Sequence, residues 1–315
     1  MNLFATILTY AAPSANYRGE SEQNRSMIQK ITRGRHEYTI VSPEAMRNAL
    51  RETLRKYGEP CNRERLDNEE QLAVLFQDYP WPEKYADDFL FGYMVADRSQ
   101  IPEPVQKERG LVLKRDSVVR MNMAVSLEPY RHDTVFTQSP LTKVNPKAPW
   151  QNANSSALLH RETAYTAFQY PFALNLGDFG FDDGKHGVTR KQWFTSLLRA
   201  ISELNDVAGN HARSYFEMAP ASIVVRLTPS LVAGYQTYGF QADGGFPEVV
   251  KGILAGDYPG EEFLLGGTIV REVLSEETQA KLKTAGVRLH RMAANALDEA
   301  ARMGCGKGFL PEKGA

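Results

Sequence analysis

The sequence predicts an α+β protein whose regular elements run strand, helix, strand, strand, helix, strand, with two insertions between them. Three observations predict this. The chain opens on a segment of strand composition, Leu3 to Tyr10 (LFATILTY), rich in β-branched, aromatic and aliphatic residues. Two segments of helical periodicity follow, one after Ser42-Pro43 and one over VTRKQWFTSLLRAISELNDVA. Two further strand-like segments, SVVRMNMAVSLEP and TAYTAFQYPFALNL, flank about thirty polar residues without periodicity. This element order is that of the ferredoxin-like unit used by RNA-recognition modules.

Taken in order, the first strand breaks at Pro13 and enters ANYRGESEQNRSMIQKITRGR, read as a flexible basic loop with Arg18, Arg25, Lys30, Arg33 and Arg35. Ser42 is an expected N-cap and Pro43 an expected first helical residue. The helix Pro43 to Tyr57 has an apolar face of Met46, Ala49, Leu50, Thr53 and Leu54 and places Arg47, Arg51 and Arg55 four residues apart. Residues 61 to 108 read as an insertion: LDNEEQLAVLFQDY as one short amphipathic helix, EKYADDFLFGYMVAD as a second. Phe76, Tyr79, Trp81, Tyr85, Phe89, Phe91 and Tyr93 are expected to form a small satellite core there. In SVVRMNMAVSLEP, Val119, Met121, Met123 and Val125 alternate. Phe168, Tyr170 and Phe172 share one face of their strand and are expected in the core rather than against a ligand. Trp193, Leu197, Leu198, Ile201 and Leu204 form the buried side of the second helix, which is expected to stop at Gly209. Strands at SIVVRLT and near FLLGGTIVREVL precede a long helix from Glu276 to Met303 and a frayed GCGKGFLPEKGA end.

With 315 residues the chain is long enough to bury a sizeable core, and its 42 % apolar and 24 % charged content is ordinary for a globular protein. No run of 18 or more apolar residues is present, and the opening segment lacks a basic n-region, so neither a membrane helix nor a signal peptide is expected. Cys61 and Cys305 stand far apart, which makes a reducing cytoplasm the expected compartment. The net charge of −1 conceals an uneven distribution. Residues 18 to 65 hold 11 Lys/Arg against 7 Asp/Glu, residues 66 to 108 hold 3 against 10, and residues 109 to 163 hold 8 against 4. Basic segments on either side of an acidic block point to one surface that faces a polyanion and another that does not.

Catalytic chemistry finds little support. The six histidines at 36, 132, 160, 186, 211 and 290 have neither metal-ligand spacing nor a Cys partner, and neither GDFGFDDGKHG nor ADGGFPEVVKG matches a nucleotide-binding glycine motif. Asp178, Asp182 and Asp183 read as turn carboxylates, and no cofactor is expected. The residues that suit a phosphodiester are those of the basic loop, above all its arginines, the helix stripe, His160 and Arg161 at the base of the polar arm, and the turn of Asn210, His211 and Arg213. For that turn, a routine Gly-Asn helix stop is an equally good reading.

Several stretches, in order, resemble one family. They are NLFATILTYAAPSANYRGESEQNRSMIQKI with VSPEAMRNALRETL, then LHRETAYTAFQYPFALNL, then VAGNHARSYFEMAPASIVVRLT. Together they resemble the DevR-type CRISPR-associated proteins, the "Cas seven" backbone subunits of Cascade, most like those of type I-B systems. The resemblance implies an RNA-recognition-like palm (1–60 and 163–315), a mostly helical finger insertion (61–108), and a strand with a projecting thumb hairpin (109–162). It implies a non-catalytic subunit that polymerises along a guide crRNA with other copies of itself, supports pairing of the guide to a target DNA strand, and contacts other Cascade subunits but no membrane. Asn16, Arg18, Lys30, Arg33, Arg35, Ser42, Arg47 and Arg51 would line the backbone-binding face, with His160 and Arg161 at the thumb base. Asn210, His211 and Arg213 would form a second loop against the RNA. Type III relatives cut RNA with an aspartate in the first loop, but Ala11 to Gly34 contains none, Asn16 and Glu20 being the nearest polar candidates. The competing readings are a metal-dependent endoribonuclease of the type III kind and a DNA-binding autoregulator. The physical logic fits the non-catalytic guide-binding subunit: cationic loops hold a guide without reading it, and many copies sum modest phosphate contacts.

Overall fold

Strand β1 (Asn2–Thr9) sits near the middle of a nine-stranded, mostly antiparallel sheet and is buried along almost its whole length. The computed structural model describes residues 1–14, 17–22, 25–67, 72–96, 99, 101–138, 158–207 and 216–306. After β1 come β2 (Ala12–Ser14), β3 (Tyr17–Glu22), β4 (Arg25–Ile28), β5 (Lys30–Arg33) and β6 (His36–Val41), so the segment expected as a flexible loop is built of paired strands. Helix α1 (Pro43–Lys56) follows, starting where Ser42-Pro43 predicts.

The acidic insertion departs from expectation. In place of a first helix it forms an antiparallel pair, β7 (Arg63–Asp67) and β8 (Leu72–Phe76). The apolar run LAVLF is short enough to serve either structure, and pairing decides it: Phe76 lies opposite Arg63, whose guanidinium is 5.1 Å above the ring. The second expected helix shrinks to α2 (Ala86–Phe91), ending at Gly92 where β9 (Tyr93–Met94) begins. The α2 residues Ala86, Phe89, Leu90 and Phe91 join the main core rather than a satellite, and Phe76 remains exposed. Helix α3 (Glu103–Arg109) and β10 (Lys114–Arg115), paired with β9, complete the region.

The next expected strand is interrupted. β11 (Val119–Met121) and β12 (Ala124–Ser126) both pair with β16 (Phe168–Asn175), but the register moves by one residue between them: Met121 faces Phe172, whereas Val125 faces Gln169. The bulge reverses the alternation, so Ala124 and Ser126 are buried in place of Met123 and Val125. The arm strands β13 (Thr134–Gln138) and β14 (Leu158–Glu162) precede β15 (Ala164–Thr166) and β16. Helix α4 (Gly187–Ser202) buries Trp193, Leu197, Leu198 and Ile201 as expected, and leads to β17 (Pro220–Thr228). Helix α4 ends at Ser202 rather than at the expected stop of Gly209: Glu203 caps it, and Asn205 already forms an antiparallel bridge with Glu217.

In the sheet, β17, β1, β16 and β11/β12 are neighbours in that order, all antiparallel, with α1 and α4 contacting one another. Beyond β17 lie β18 (Phe263–Gly267) and β19 (Arg288–His290); beyond β12 lie β6 and β5. Leu3, Ala5 and Ile7 share the larger core with residues of α1, α4 and α7 (Ala293–Gly304). Leu8 and Val224 share a second core with α5 (Pro247–Ala255), α6 (Glu276–Thr284) and the segment around Phe240 and Phe246. Three hydrogen bonds tie that segment to the sheet: Thr6 Oγ1 donates to Thr237 O (3.0 Å), Phe240 N to Gln169 Oε1 (3.2 Å), and the Tyr238 hydroxyl to Met123 O (2.7 Å). The expected long C-terminal helix is divided into α6 and α7 by β19, where Gly286 takes a left-handed φ of 94° that ends the helix. Of the expected frayed end, residues 307 to 315 lie outside the described residues. Among the described residues, no helix is long and apolar enough to cross a membrane.

Candidate nucleic-acid interface

The basic first segment and the base of the arm meet in one four-stranded sheet, ordered β13-β14-β4-β3. β14 pairs with β4 in parallel, setting His160 beside Arg25 and Arg161 beside Ser26, and with β13 in antiparallel, setting His160 opposite Phe136 and Arg161 opposite Val135. His160 is exposed and packs edge-on to the Phe136 ring at 5.4 Å. Arg18 lies on β3 of the same sheet. Asn16, the arm beyond Gln138 and the turn of Asn210, His211 and Arg213 lie outside the described residues.

Glu162 holds this sheet to the start of β5. Its buried carboxylate accepts from Ile28 N at 3.1 Å and from Lys30 Nζ at 3.3 Å. Lys30 also stands 3.9 Å from Glu37 and 4.3 Å above the Tyr130 ring. The expectation that Lys30 grips a phosphate is therefore corrected, because its charge is already compensated inside the protein. Burial is the main cause that pushes the Tyr130 phenol up to about 12, with the Glu162 charge next. Arg33 and Arg35, in contrast, are exposed at the tip of the β5–β6 hairpin, whose turn uses Gly34 at a φ of 64°.

Helix α1 does not present one cationic face. Ser42 caps it, its hydroxyl oxygen accepting from Ala45 N at 3.2 Å. Arg51, expected on the backbone-binding face, is turned inward: it is 4 % exposed, 3.2 Å from Asp87, and bonded to Asn48 Oδ1 at 2.6 Å. Burial lowers its pKa to about 10, with the nearby Arg63 charge acting the same way and Asp87 opposing both. Asp87 also accepts from Asn62 N (2.7 Å) and Arg63 N (3.0 Å), so this ion cluster docks the insertion onto α1. Arg55 donates to Arg63 O and stands 3.9 Å from Glu52 and 4.0 Å from Glu64. Arg47 is half-buried at the rim of a cleft. Its side chain lines this cleft, of about 310 Å³, with Arg120, Phe4, Ser117, Asn122 and Ala173, and its Nε is buried there without a partner among the described residues. Sequence reasoning misses Arg120, although its place on the exposed side of an alternating strand is a usable signal.

Among the described residues, no group of three or more His, Cys, Asp or Glu side chains is arranged to hold a metal ion. Two of the carboxylates weighed from the sequence serve local structure: Asp183 accepts from Lys185 N at 2.9 Å and pairs with Arg190 at 3.3 Å, and Asp178 accepts from Asn175 at 2.9 Å. Burial drives the Cys61 thiol up to about 12, so it is an inert core residue. Phe168, Tyr170 and Phe172 are buried as expected, the Tyr170 hydroxyl donating to Met218 O at 2.8 Å.

A protein of Myxococcus xanthus (strain DK1622) described as "CRISPR-associated protein Cas7/Cst2/DevR" is 29 % identical over 312 residues, which is 95 % of this chain and 98 % of that one. The chain is thus similar to a DevR-type CRISPR-associated protein over almost its whole length. No family model matches it. Two solved structures share its fold over 96 % of its length. One, from a "CRISPR RNA-guided surveillance complex", has a TM-score of 0.57 at 15 % identity and is covered to 99 %. The other, from a "CRISPR RNA-guided surveillance complex, pre-nicking", has a TM-score of 0.61 at 11 % identity and is covered to 100 %. What this chain shares with them is a mixed α+β architecture around a central, mostly antiparallel sheet.

Proposed function

We propose that this chain is a non-catalytic backbone subunit of a type I Cascade complex, most like type I-B, that binds guide crRNA and polymerises along it. The carrying observation is the parallel pairing of β14 with β4, which unites the basic first segment and the base of the arm in one sheet; Arg33 and Arg35 stand exposed on the hairpin that follows. The neighbouring order β17-β1-β16-β11/β12, with α1 and α4 on one face, supports a ferredoxin-like, RNA-recognition palm. The β13–β14 hairpin supports a thumb, and the ion cluster of Arg51, Arg63 and Asp87 supports a finger module fixed rigidly to the palm.

In this reading Arg18, Arg33, Arg35, Arg47, Arg120 and Arg161 contact the guide backbone without reading its sequence, and Ser42 positions α1. Asn16, His160, Asn210, His211 and Arg213 complete the groove. The guide's bases are left to pair with a target DNA strand, and neighbouring copies and other Cascade subunits bind the remaining surfaces in the cytoplasm. RNA titrations over a range of salt concentrations test this. Arg33→Ala with Arg35→Ala should weaken binding to unrelated RNA sequences alike and lower the salt slope by about 1.4. Unchanged affinity and slope would remove this face from the proposal.

A further inference from the structure

A row of four side chains crosses the face of the central sheet that turns away from the larger core. Phe4 on β1 pairs with Arg226 on β17 and with Ala173 on β16, and Ala173 pairs in turn with Arg120 on β11. Leu3, Ala5, Val119, Leu174 and Val225, adjacent to them in the strands, all lie in the larger core, so alternation puts the whole row on the other face. Arg226 is committed within the protein, donating to Glu262 Oε2 and to Ala233 O, each at 2.7 Å, and it closes the row at that end. Arg120, at the other end, is exposed.

The next row on this face runs Thr6, Pro171, Asn122, with Asn122 N donating to Pro171 O at 3.2 Å. Thr6 is covered by the segment it bonds at Thr237. The cleft of about 310 Å³ lies over these two rows, lined by Phe4, Ala173, Arg120, Pro171, Asn122 and Thr237, with Arg47 at its rim. That volume is near the lower end of small-molecule sites, roughly 300–1,000 Å³, so it admits one ring-bearing group.

The first row reads large, small, long. Phe4 and Arg120 stand on strands two apart, whose backbones are about 9.5 Å from one another, and Ala173 between them offers only a methyl group. A flat ring in van der Waals contact with both walls needs about 7–8 Å between them. The half-buried Phe4 ring packs against no other aromatic ring or cation among the described residues. The Arg120 guanidinium is itself planar, and its face suits a π-system while its edge keeps N–H donors for a phosphate. At the polar end Asn122, whose Oδ1 accepts from Met123 N at 2.8 Å, retains two N–H donors, and the buried Arg47 Nε lacks an acceptor among the described residues.

We propose that this slot takes the base of one unpaired RNA nucleotide, held between Phe4 and Arg120 over Ala173, with Asn122 at the base edge and Arg47 on the adjoining phosphate; this rests on the RNA-binding reading above. Stacking tolerates any base, because each presents a π-face, so the slot holds a base without selecting a sequence. Its ligand chemistry differs from that of Arg33 and Arg35, which need only the phosphate.

Anisotropy titrations that compare fluorescein-labelled oligouridine with an abasic ribose-phosphate strand of the same length test the slot. The wild-type chain should prefer the base-bearing strand. Ala173→Leu fills the slot and Phe4→Leu removes its aromatic wall; each should weaken oligouridine binding by about tenfold while leaving abasic binding unchanged. Arg120→Lys keeps the charge but not the plane, so it should lower the preference as well, and its exposed position keeps the fold intact. Equal wild-type binding to the two strands, or a preference that survives both Ala173→Leu and Arg120→Lys, overturns the slot while leaving backbone binding in place. Failure of the wild-type chain to bind either strand overturns the RNA reading and the slot with it.

Discussion

Glu162→Ala should be among the most damaging single changes at the arm base, and its cost follows from the contacts it breaks. The carboxylate side chain is 3 % exposed, its partner Lys30 only 15 %, and the two are 3.3 Å apart. Removing one member of a buried ion pair leaves the other charge uncompensated, a penalty of about 3–5 kcal/mol. The Ile28 amide, itself buried, loses its acceptor as well, at about 1–3 kcal/mol. Glu37 stands 3.9 Å from Lys30 but is 56 % exposed, so it offsets only part of this. The low end of the first range, about 3 kcal/mol, is the expected loss, equivalent to a fall in Tm of roughly 5 °C for a chain of this size. Urea unfolding followed by circular dichroism measures it. The double variant Lys30→Met with Glu162→Leu should recover most of the stability, because a buried pair replaced by apolar groups is close to neutral. Lys30 is an internal counter-ion, so that double variant should also keep the wild-type salt slope for RNA. A loss under about 0.5 kcal/mol for Glu162→Ala, or a reduced salt slope in the stable double variant, would refute the argument.

Two further outcomes are expected. Arg51→Ala removes the nearer of the two guanidinium groups paired with buried Asp87, leaving Arg63 at 3.7 Å and two backbone amides, so it should destabilise the chain by about 3 kcal/mol in chemical unfolding yet leave the RNA salt slope of the folded fraction unaltered. Asp78 clamps the insertion: burial raises its pKa, but hydrogen bonds from Arg109, Tyr79 N and Tyr85 outweigh it, and the net direction is downward from 3.8. A depressed carboxyl pKa stabilises fully above the ordinary value and ceases to as pH falls through the folded one. The fluorescence of Trp81, whose ring lies 4.6 Å from the Arg109 guanidinium, should therefore change below about pH 4, and Asp78→Asn should abolish that transition.

The parts of the fold legible from sequence are those whose local pattern agrees with their burial. α1 and α4 carry an apolar face at helical spacing, while β1 and β16 declare themselves by β-branched and aromatic composition and are buried on both faces. LAVLF misleads because five apolar residues satisfy both periods, and only its pairing with Arg63–Asp67 decides between them. The bulge at Asn122–Met123 defeats any reading that assumes unbroken alternation. At the candidate interface, local spacing correctly puts Arg47, Arg51 and Arg55 on one helical stripe but cannot reveal that Asp87, thirty-six residues on from Arg51, draws its guanidinium inward. The pairing of β4 with β14 spans more than a hundred residues and has no local signature.

The placement of β1 also governs the order in which the chain can fold during synthesis. Both its neighbours, β16 and β17, are made long after it, the nearer beginning at Phe168. At ribosomal rates of about 5–20 residues per second, this apolar strand waits on the order of ten seconds or more for its first partner. Through that interval it is a bare, sticky ribbon with α1 as its principal early cover. A nascent chain built this way should depend on chaperone binding near its N-terminus, and synonymous changes that slow translation between α1 and β16 should lower its soluble yield.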